Sequence, residues 1–314
     1  MEKKYFGVIP PIITPITEKE TVDEEGFRKL IDYCIDGGLH GLFVAGSNGE
    51  CMALTQKERN NAIRIMLDQV KGRVPVMAGV MDTSTRRVID NIKELEQMGG
   101  TCAVVTPVFY DRHTSQDETV RHFEQILKET NIDLVLYNIP LFTGQKLTGA
   151  TALKIAALDD RVAGYKDSGG SFVDFVPVLE QHRDTPFCVL QGVTALAMAS
   201  MLMGADGFVP AMATAFPQLF AAAYEAGKSK DCDEAWKYNK LIRETSKILG
   251  MTKNATAAAK YAVSLRGFTR KEVIMPQDTI SPAEEDAIRR KVAEIDEMVA
   301  ALGIALGPGA PTAW

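Results

Sequence analysis

The sequence predicts an α/β protein, a (β/α)8 TIM barrel followed by a C-terminal helical extension. Eight short apolar runs alternate with eight amphipathic segments over residues 1–228. The short runs are apolar at consecutive positions, as expected for parallel strands that are covered on both faces. A chain of 314 residues is also long enough for one such barrel.

Each predicted strand is closed by a residue that favours turns. The eight runs are YFGVIPPIIT, GLFVAG, VPVMAGV, CAVVTP, DLVLYN, VAGYKD, FCVLQG and GADGFVPA. The competing architecture is a doubly wound sheet, whose dinucleotide-binding form needs GxGxxG after its first strand. This chain has PPIITPITEKE there, which does not fit.

Amphipathic patterns between these runs predict the helices. The segment after the second strand begins with Thr55-x-x-Glu58, the pattern of a capping box. Further helices are predicted near 23–38, 84–98, 115–129, 148–158, 170–182, 193–203 and 216–227. Residues 229–302 are predicted to be helical and to pack on the barrel, and residues 303–314 to form a flexible tail.

Composition narrows the class of protein. The net charge is −6 and no long basic run occurs, so no nucleic-acid partner is expected. Five scattered cysteines without a CxxC pair indicate the cytoplasm rather than a disulfide framework. Four histidines lack metal-ligand spacing, so no metal site is expected. Neither a signal-peptide core nor an apolar run long enough to span a membrane is found.

A lysine stands at the end of the sixth predicted strand, in RVAGYKDSGG. Lys166 is the one lysine at the mouth of a predicted strand. Apolar surroundings lower the pKa of an amine and make it a nucleophile suited to Schiff-base chemistry. A lysine that reaches solvent from the strand end, or that pairs with Asp167, is the structural alternative.

Two other strand ends carry polar groups. GSNGE, Gly46 to Glu50, follows the second strand, and its backbone N–H groups with Ser47 and Asn48 can hold an anion. An ordinary tight turn is the alternative. Tyr137 ends the fifth strand and can carry protons or simply cap the core.

A nucleophile, a phenol and an anion-binding turn at three strand ends suit a 2-oxo acid. The lysine would form an imine with the acid while the turn holds its carboxylate. An aromatic pair, Phe109 and Tyr110, lies in the loop after the fourth strand at the same face of the barrel. It can form a subunit contact or cover the rim.

These motifs resemble the dihydrodipicolinate synthase / N-acetylneuraminate lyase superfamily of pyruvate-dependent class I aldolases. The similarity covers nearly the whole chain, including YNIPLFTGQKLT, GYKDSGG and GADGFVPA. It implies that Lys166 is the Schiff-base lysine, that Tyr137 shuttles protons, and that Ser47 and Asn48 bind the pyruvate carboxylate. Tyr110 matches a tyrosine that a neighbouring subunit contributes, and the family's dimer-of-dimers assembly implies a homo-oligomer. No cofactor is implied.

Departures from the family bear on the second substrate. Phe142 replaces the arginine that binds the aldehyde's carboxylate in the synthase. Thr194 and Ala195 replace the acidic pair of the sialic acid lyase, and Ala211 replaces its serine after the eighth strand. The Ser-Asn pair itself occurs in some hydroxyoxoglutarate aldolases of the group. The remaining predicted substrate-binding residues are Gly46, Ser168, Gly192 and Val209.

The resemblance therefore implies an aldolase or lyase that acts on pyruvate and an aldehyde, through a 4-hydroxy-2-oxo acid or a 2-keto-3-deoxy sugar acid. Four alternatives stay open at this point. They are dihydrodipicolinate synthase proper, N-acetylneuraminate lyase proper, a 2-keto-3-deoxy acid dehydratase that uses the same imine, and a non-catalytic 2-oxo acid binding protein.

Overall fold

The computed structural model describes residues 3–306, and within this range eight parallel strands form one sheet in the order β1-β8-β7-β6-β5-β4-β3-β2. The strands are β1 Gly7–Val8, β2 Leu42–Val44, β3 Val76–Gly79, β4 Cys102–Val105, β5 Asp133–Asn138, β6 Val162–Asp167, β7 Cys188–Gln191 and β8 Gly207–Phe208. All eight coincide with predicted apolar runs, and the predicted TIM barrel is confirmed.

Two prolines shape the closure of the barrel at the first strand. The N–H of Ile9 donates to Phe208 of β8, but Pro10 and Pro11 have no N–H to extend this pairing. The chain crosses instead to β2, where Phe43 donates to the Pro10 carbonyl and its own carbonyl accepts from Ile12. This bridge links β1 to β2, and it explains why β1 is shorter than the predicted run.

Helices alternate with the strands as predicted. The barrel helices are α1 Glu24–Asp36, α2 Gln56–Val70, α3 Thr85–Gln97, α4 Gln116–Glu129, α5 Pro140–Thr143, α6 Gly149–Ala156, α7 Phe172–His182, α8 Ala197–Met203 and α9 Pro217–Lys228. Side-chain caps begin most of them, including the predicted Thr55, which accepts from the Glu58 N–H. The short helix α5, which follows Tyr137, was not predicted.

Three further helices follow the barrel, namely α10 Cys232–Lys247, α11 Ala255–Ser264 and α12 Pro282–Ala301. Helix α10 packs against α8 and α9, and α12 packs against both α10 and α11. A capping box at Ser281 and Glu284 begins α12. Residues 307–314, most of the predicted tail, lie outside the described residues.

The barrel and the three helices share one apolar core. Strand residues such as Phe43, Tyr165 and Leu190 belong to the same buried cluster as Ile242 of α10 and Ile288 of α12. Within residues 3–306, no helix is long and apolar enough to cross a membrane, and no group of three or more His, Cys, Asp or Glu side chains is arranged to hold a metal ion.

Candidate active site

Lys166 lies near the carboxyl end of β6, inside the barrel. Only 3% of the surface of Lys166 is exposed. The Nζ atom lies 3.9 Å from the ring centroid of Tyr137 on β5 and 4.7 Å from that of Phe43 on β2. Strand register places Lys166 directly beside Tyr137. The amine is therefore held between two aromatic rings at the end of the sheet where barrel active sites lie.

The adjacent carboxylate does not pair with this amine. Successive strand residues point to opposite faces, and Asp167 accepts instead from Asn138 Nδ2 at 2.6 Å and from the Gly169 N–H at 2.9 Å. Burial therefore acts on Lys166 almost unopposed and lowers the pKa of its amine to about 7. A large fraction of the amine is neutral, and so nucleophilic, near neutral pH.

Tyr137 is buried beside the lysine, with 2% of its surface exposed. Burial raises the pKa of its phenol to about 12, and hydrogen bonds to the Ser168 and Ser47 hydroxyls act in the opposite direction. A phenol with hydroxyl partners on both the strand-two turn and the strand-six end can pass a proton in either direction.

The turn after β2 is a single 3₁₀ turn, Ser47–Gly49, whose Gly49 carbonyl accepts from the Thr14 hydroxyl at 2.8 Å. A Cβ at Gly46 would lie 2.9 Å from the Phe43 ring, so only glycine fits there without a shift. Asn48 Nδ2 donates to the Pro11 carbonyl at 2.8 Å. This hydrogen bond attaches the turn to the segment that follows β1. The first N–H groups of such a turn have no partner within it and are suited to an anion.

Glu50 fastens the end of this turn to the C-terminal helices. Its carboxylate forms an ion pair with Lys260 of α11, and both side chains are almost completely buried. The second carboxylate oxygen accepts from the Ile274 N–H at 2.8 Å, and Lys260 also donates to the Glu272 carbonyl at 2.8 Å. Burial lowers the pKa of Lys260, and the Glu50 charge opposes that shift.

A cavity of about 710 Å³, the main cavity, is lined by Tyr137 and Ser47. Its wall is largely apolar and includes Met52, Met81, Phe109, Ile139, Phe142 and Met275. Its other polar side chains are Thr106, Thr143, Thr256 and Gln277, and Glu50 is its one charged residue among the described part of the chain. Both the barrel and the segment around α11 therefore contribute to it.

The other predicted site residues lie around this centre at different distances. Gly192 and Ser168 meet at the ends of β7 and β6, where a Cβ on the glycine would lie 2.1 Å from Ser168 Oγ. Thr194 begins a 3₁₀ turn after β7, and Val209 follows β8 with its N–H bonded to Gln191. Along residues 3–306, neither Thr194 nor Val209 is part of the main cavity wall.

Tyr110 is not brought to Lys166 within this chain. It is 94% exposed and has a left-handed backbone, with φ of 71°. It lines a second cavity of about 370 Å³ together with Arg112, His113 and Gly144. Its neighbour Phe109 lines the main cavity instead.

Sequence reasoning missed several residues of the site. Thr106 directly follows β4, so its place at a strand end was a usable signal. Phe43 lies in an apolar run in which nothing distinguishes the residue that faces the lysine. Met275 and Thr256 come from the distant C-terminal segment, and no local pattern links them to the barrel mouth.

Comparison with known proteins identifies the family of this chain. The model of the dihydrodipicolinate synthetase family matches residues 4–295. The chain belongs to this family.

Curated relatives carry names from the same family. A 4-hydroxy-tetrahydrodipicolinate synthase of Parabacteroides distasonis is 30% identical over 273 residues, which cover 87% of this chain and 90% of the relative. An uncharacterized DapA-like lyase of Thermofilum pendens is 32% identical over 249 residues, covering 77% and 81% of the two chains.

Solved structures agree with this assignment. Dihydrodipicolinate synthase from Bacteroides thetaiotaomicron superposes with a TM-score of 0.88 at 30% identity, covering 94% of this chain and 100% of that one. A prophage protein of the family from E. coli K12, solved in complex with pyruvate, gives 0.85 at 27% identity, covering 96% and 99%. The predicted enzyme class, a carbon–carbon lyase of the pyruvate-dependent class I aldolase type, is confirmed at the level of the family.

Proposed function

We propose that Lys166 is the amine that forms the Schiff base and that the substrate is a 4-hydroxy-2-oxo acid or a 2-keto-3-deoxy sugar acid. The observation that carries this proposal is a buried amine without a carboxylate partner, beside a buried phenol, at adjacent strand ends. Burial keeps the amine reactive, and the main cavity, which is lined by its neighbour Tyr137, gives the substrate room.

The proposed reaction proceeds through an imine. The Lys166 amine attacks C2 of the oxo acid and water leaves, which gives an imine that withdraws electrons from C3. As the C3–C4 bond breaks, Tyr137 accepts the C4 hydroxyl proton and passes its own phenolic proton to the Ser47 or Ser168 hydroxyl, so the aldehyde leaves and an enamine remains. Protonation of C3 and addition of water then release pyruvate and restore the amine. Ser47, Asn48 and Gly46 hold the C1 carboxylate throughout.

Borohydride trapping tests the lysine. The protein is incubated with pyruvate, reduced and digested, and the adduct mass is sought on the peptide that contains Lys166. We expect it there in the wild type and not in Lys166→Ala. An adduct located on another lysine, or full turnover by the Ala variant, would refute the assignment.

Tyr137→Phe tests the proton carrier. Loss of a positioned general acid–base is expected to lower kcat by about 10²–10⁴-fold. Trapping of pyruvate should decline far less, because imine formation does not need the C4 proton transfer. Product analysis in the same assays separates a lyase, which splits the carbon chain, from a dehydratase, which only loses water.

We further propose that the enzyme is a cytoplasmic homotetramer. All five cysteines are free, which suits a reducing compartment. The exposed Tyr110 ring is available for contact with a neighbouring subunit. The family resemblance implies that this ring reaches into the active site of that neighbour. Analytical ultracentrifugation tests the assembly, and Tyr110→Ala should shift the protein towards smaller species and lower its kcat.

A further inference from the structure

The wall of the main cavity beyond Tyr137 is formed by apolar side chains from three separate parts of the chain. Met52 comes from the strand-two loop, Phe142 from α5, and Met275 from the segment after α11. Pyruvate occupies only the end of the cavity near Ser47 and Tyr137 in the proposed reaction. The aldehyde partner therefore meets this apolar wall.

No positive charge is available on that wall to bind an acidic aldehyde. Among residues 3–306, the one charged residue lining the cavity is Glu50, whose carboxylate is already paired with Lys260. Arg112 lines the second cavity, and its guanidinium donates to the Gly144 carbonyl at 2.7 Å. A carboxylate on the aldehyde would lose hydration without gaining a counter-charge, which disfavours its binding.

Apart from Ser47, Tyr137 and Glu50, the polar side chains of this cavity are few, namely Thr106, Thr143, Thr256 and Gln277. The Thr143 hydroxyl is already bonded to the carbonyls of Ile139 and Gln145. Thr106 lines the wall as well, but its hydroxyl oxygen is buried away from the cavity and has no hydrogen-bond partner. A polyhydroxylated chain would therefore leave most of its hydroxyl groups without partners on this wall, which disfavours its binding.

We infer that the aldehyde partner is an uncharged molecule with an apolar substituent, best an aromatic ring. Methionine side chains adapt to such ligands and make favourable contacts with aromatic edges, and three of them line this wall. This inference rests on the proposed function, since it concerns the aldehyde that the Lys166 enamine attacks. In that step the enamine carbon bonds to the aldehyde carbon, the aldehyde oxygen takes the Tyr137 proton, and water then releases a 4-hydroxy-2-oxo acid.

Matched aldehydes test the inference. Wild-type enzyme with pyruvate is given benzaldehyde, 4-nitrobenzaldehyde or 4-carboxybenzaldehyde, of which the last two have similar shape and differ in charge. We expect kcat/KM to favour the nitro over the carboxy compound by about ten-fold or more, the scale of pocket discrimination. Glyceraldehyde, a polyhydroxylated aldehyde, should also react less efficiently than benzaldehyde.

Two variants distinguish the effect of a positive charge on the cavity wall from that of a positive charge on the protein surface. Phe142→Arg places a guanidinium at the cavity and should shift the carboxy/nitro ratio of kcat/KM towards the acid by about ten-fold, since charge pairing then favours it. Leu141→Arg is the matched control, because Leu141 is 84% exposed and does not line the cavity. Comparing ratios between enzymes cancels the different intrinsic reactivities of the aldehydes.

Borohydride trapping with pyruvate alone accompanies each assay. Trapping at Lys166 together with a preference for the carboxy compound, an equal shift in Leu141→Arg, or no turnover of any neutral aldehyde would overturn the inference and leave the Schiff-base proposal standing. Absence of trapping would instead overturn the proposed function and the inference with it.

Discussion

The surroundings of Lys166 explain how one lysine differs chemically from the others in the chain. Two aromatic rings and the barrel interior replace water around its amine, while Asp167 points away to Asn138. Aromatic faces attract a cation, but they do not replace its hydration fully. The neutral form is therefore favoured, and the same surroundings suit the neutral amine that attacks a carbonyl.

The rate of imine formation should follow this pKa. Only the neutral amine attacks. The second-order rate constant of pyruvate trapping is therefore expected to rise with pH and to level off above a midpoint near 7. Rapid-mix trapping between pH 5.5 and 10 measures the profile. A midpoint near 10.5, the ordinary value for lysine, would show that burial does not tune the amine.

Lys166→Met should make the protein more stable while removing its chemistry. In the wild type the folded pKa is about 7 and the unfolded value about 10.5, so the unfolded state binds more protons between them and the free energy of unfolding rises with pH over that window. The variant lacks this proton linkage. Its advantage is expected to be on the order of 5 kcal/mol at pH 6 and to shrink towards pH 10.

Urea unfolding at several pH values measures this difference. Lys166→Ala provides the comparison, because it also removes the charge but leaves a cavity. A methionine variant less stable than the wild type at every pH would contradict the account.

At the scale of elements, the turn that we propose binds the carboxylate depends on a helix far away in the sequence. Glu50 adopts a left-handed backbone, with φ of 56°, and its side chain reaches Lys260 of α11. A non-glycine residue in this conformation costs about 1 kcal/mol or more and persists only where its surroundings hold it. The buried ion pair is one such constraint, so α11 positions the turn that contains Ser47.

Breaking this ion pair should destabilise the protein strongly. Lys260→Met leaves a buried carboxylate without its counter-charge, which is expected to lower the free energy of unfolding by about 3–5 kcal/mol. The pyruvate concentration needed for half-maximal trapping should rise as well, because the turn loses its support. Urea unfolding and a pyruvate titration measure the two effects.

An exposed pair supplies the control. Lys29 and Glu25 form an i,i+4 pair on α1 with both side chains largely in solvent, so Lys29→Met should cost less than about 0.5 kcal/mol. The double variant Glu50→Gln with Lys260→Met should recover part of the loss. If Lys29→Met proved as costly as Lys260→Met, burial would not be the cause.

Features set by residues close together in the sequence were predictable, and contacts between distant residues were not. Apolar periodicity and turn residues are local, so all eight strands and the helix capped by Thr55 were predictable, as was a lysine at the end of the sixth strand. Phe43, Lys260 and Met275 reach the site through the folding of distant segments. No local spacing relates them to Lys166, which is why they needed the structure.

At the scale of the whole molecule, the barrel and the C-terminal helices are joined by buried polar contacts. Arg266 is almost fully buried, and its guanidinium makes a two-pronged pair with Asp296 of α12, each N–O distance being 2.8 Å. Its Nε donates to the Ala215 carbonyl at 2.8 Å, just before α9 of the barrel. The extension therefore satisfies polar groups that belong to the barrel.

Removal of residues 229–314 should consequently prevent the barrel from folding. The deletion removes Lys260 from Glu50 and Arg266 from the Ala215 carbonyl, and it uncovers the sides of α8 and α9 that contact α10. We expect insoluble protein, or soluble protein that traps no pyruvate, as judged by size-exclusion chromatography and the borohydride assay. A monodisperse fragment that still forms the adduct would show that residues 1–228 fold independently.

The pairing of Glu50 with Lys260 also bears on when the site can form during synthesis of the chain. A ribosome adds about 5–20 residues per second, so Glu50 waits roughly ten seconds or more for its counter-charge to be made. Throughout that interval we expect the carboxylate to stay in water and the turn next to it to lack the support of α11. The growing chain thus contains Lys166 well before Lys260, and the proposed site is complete only in the last fifth of translation.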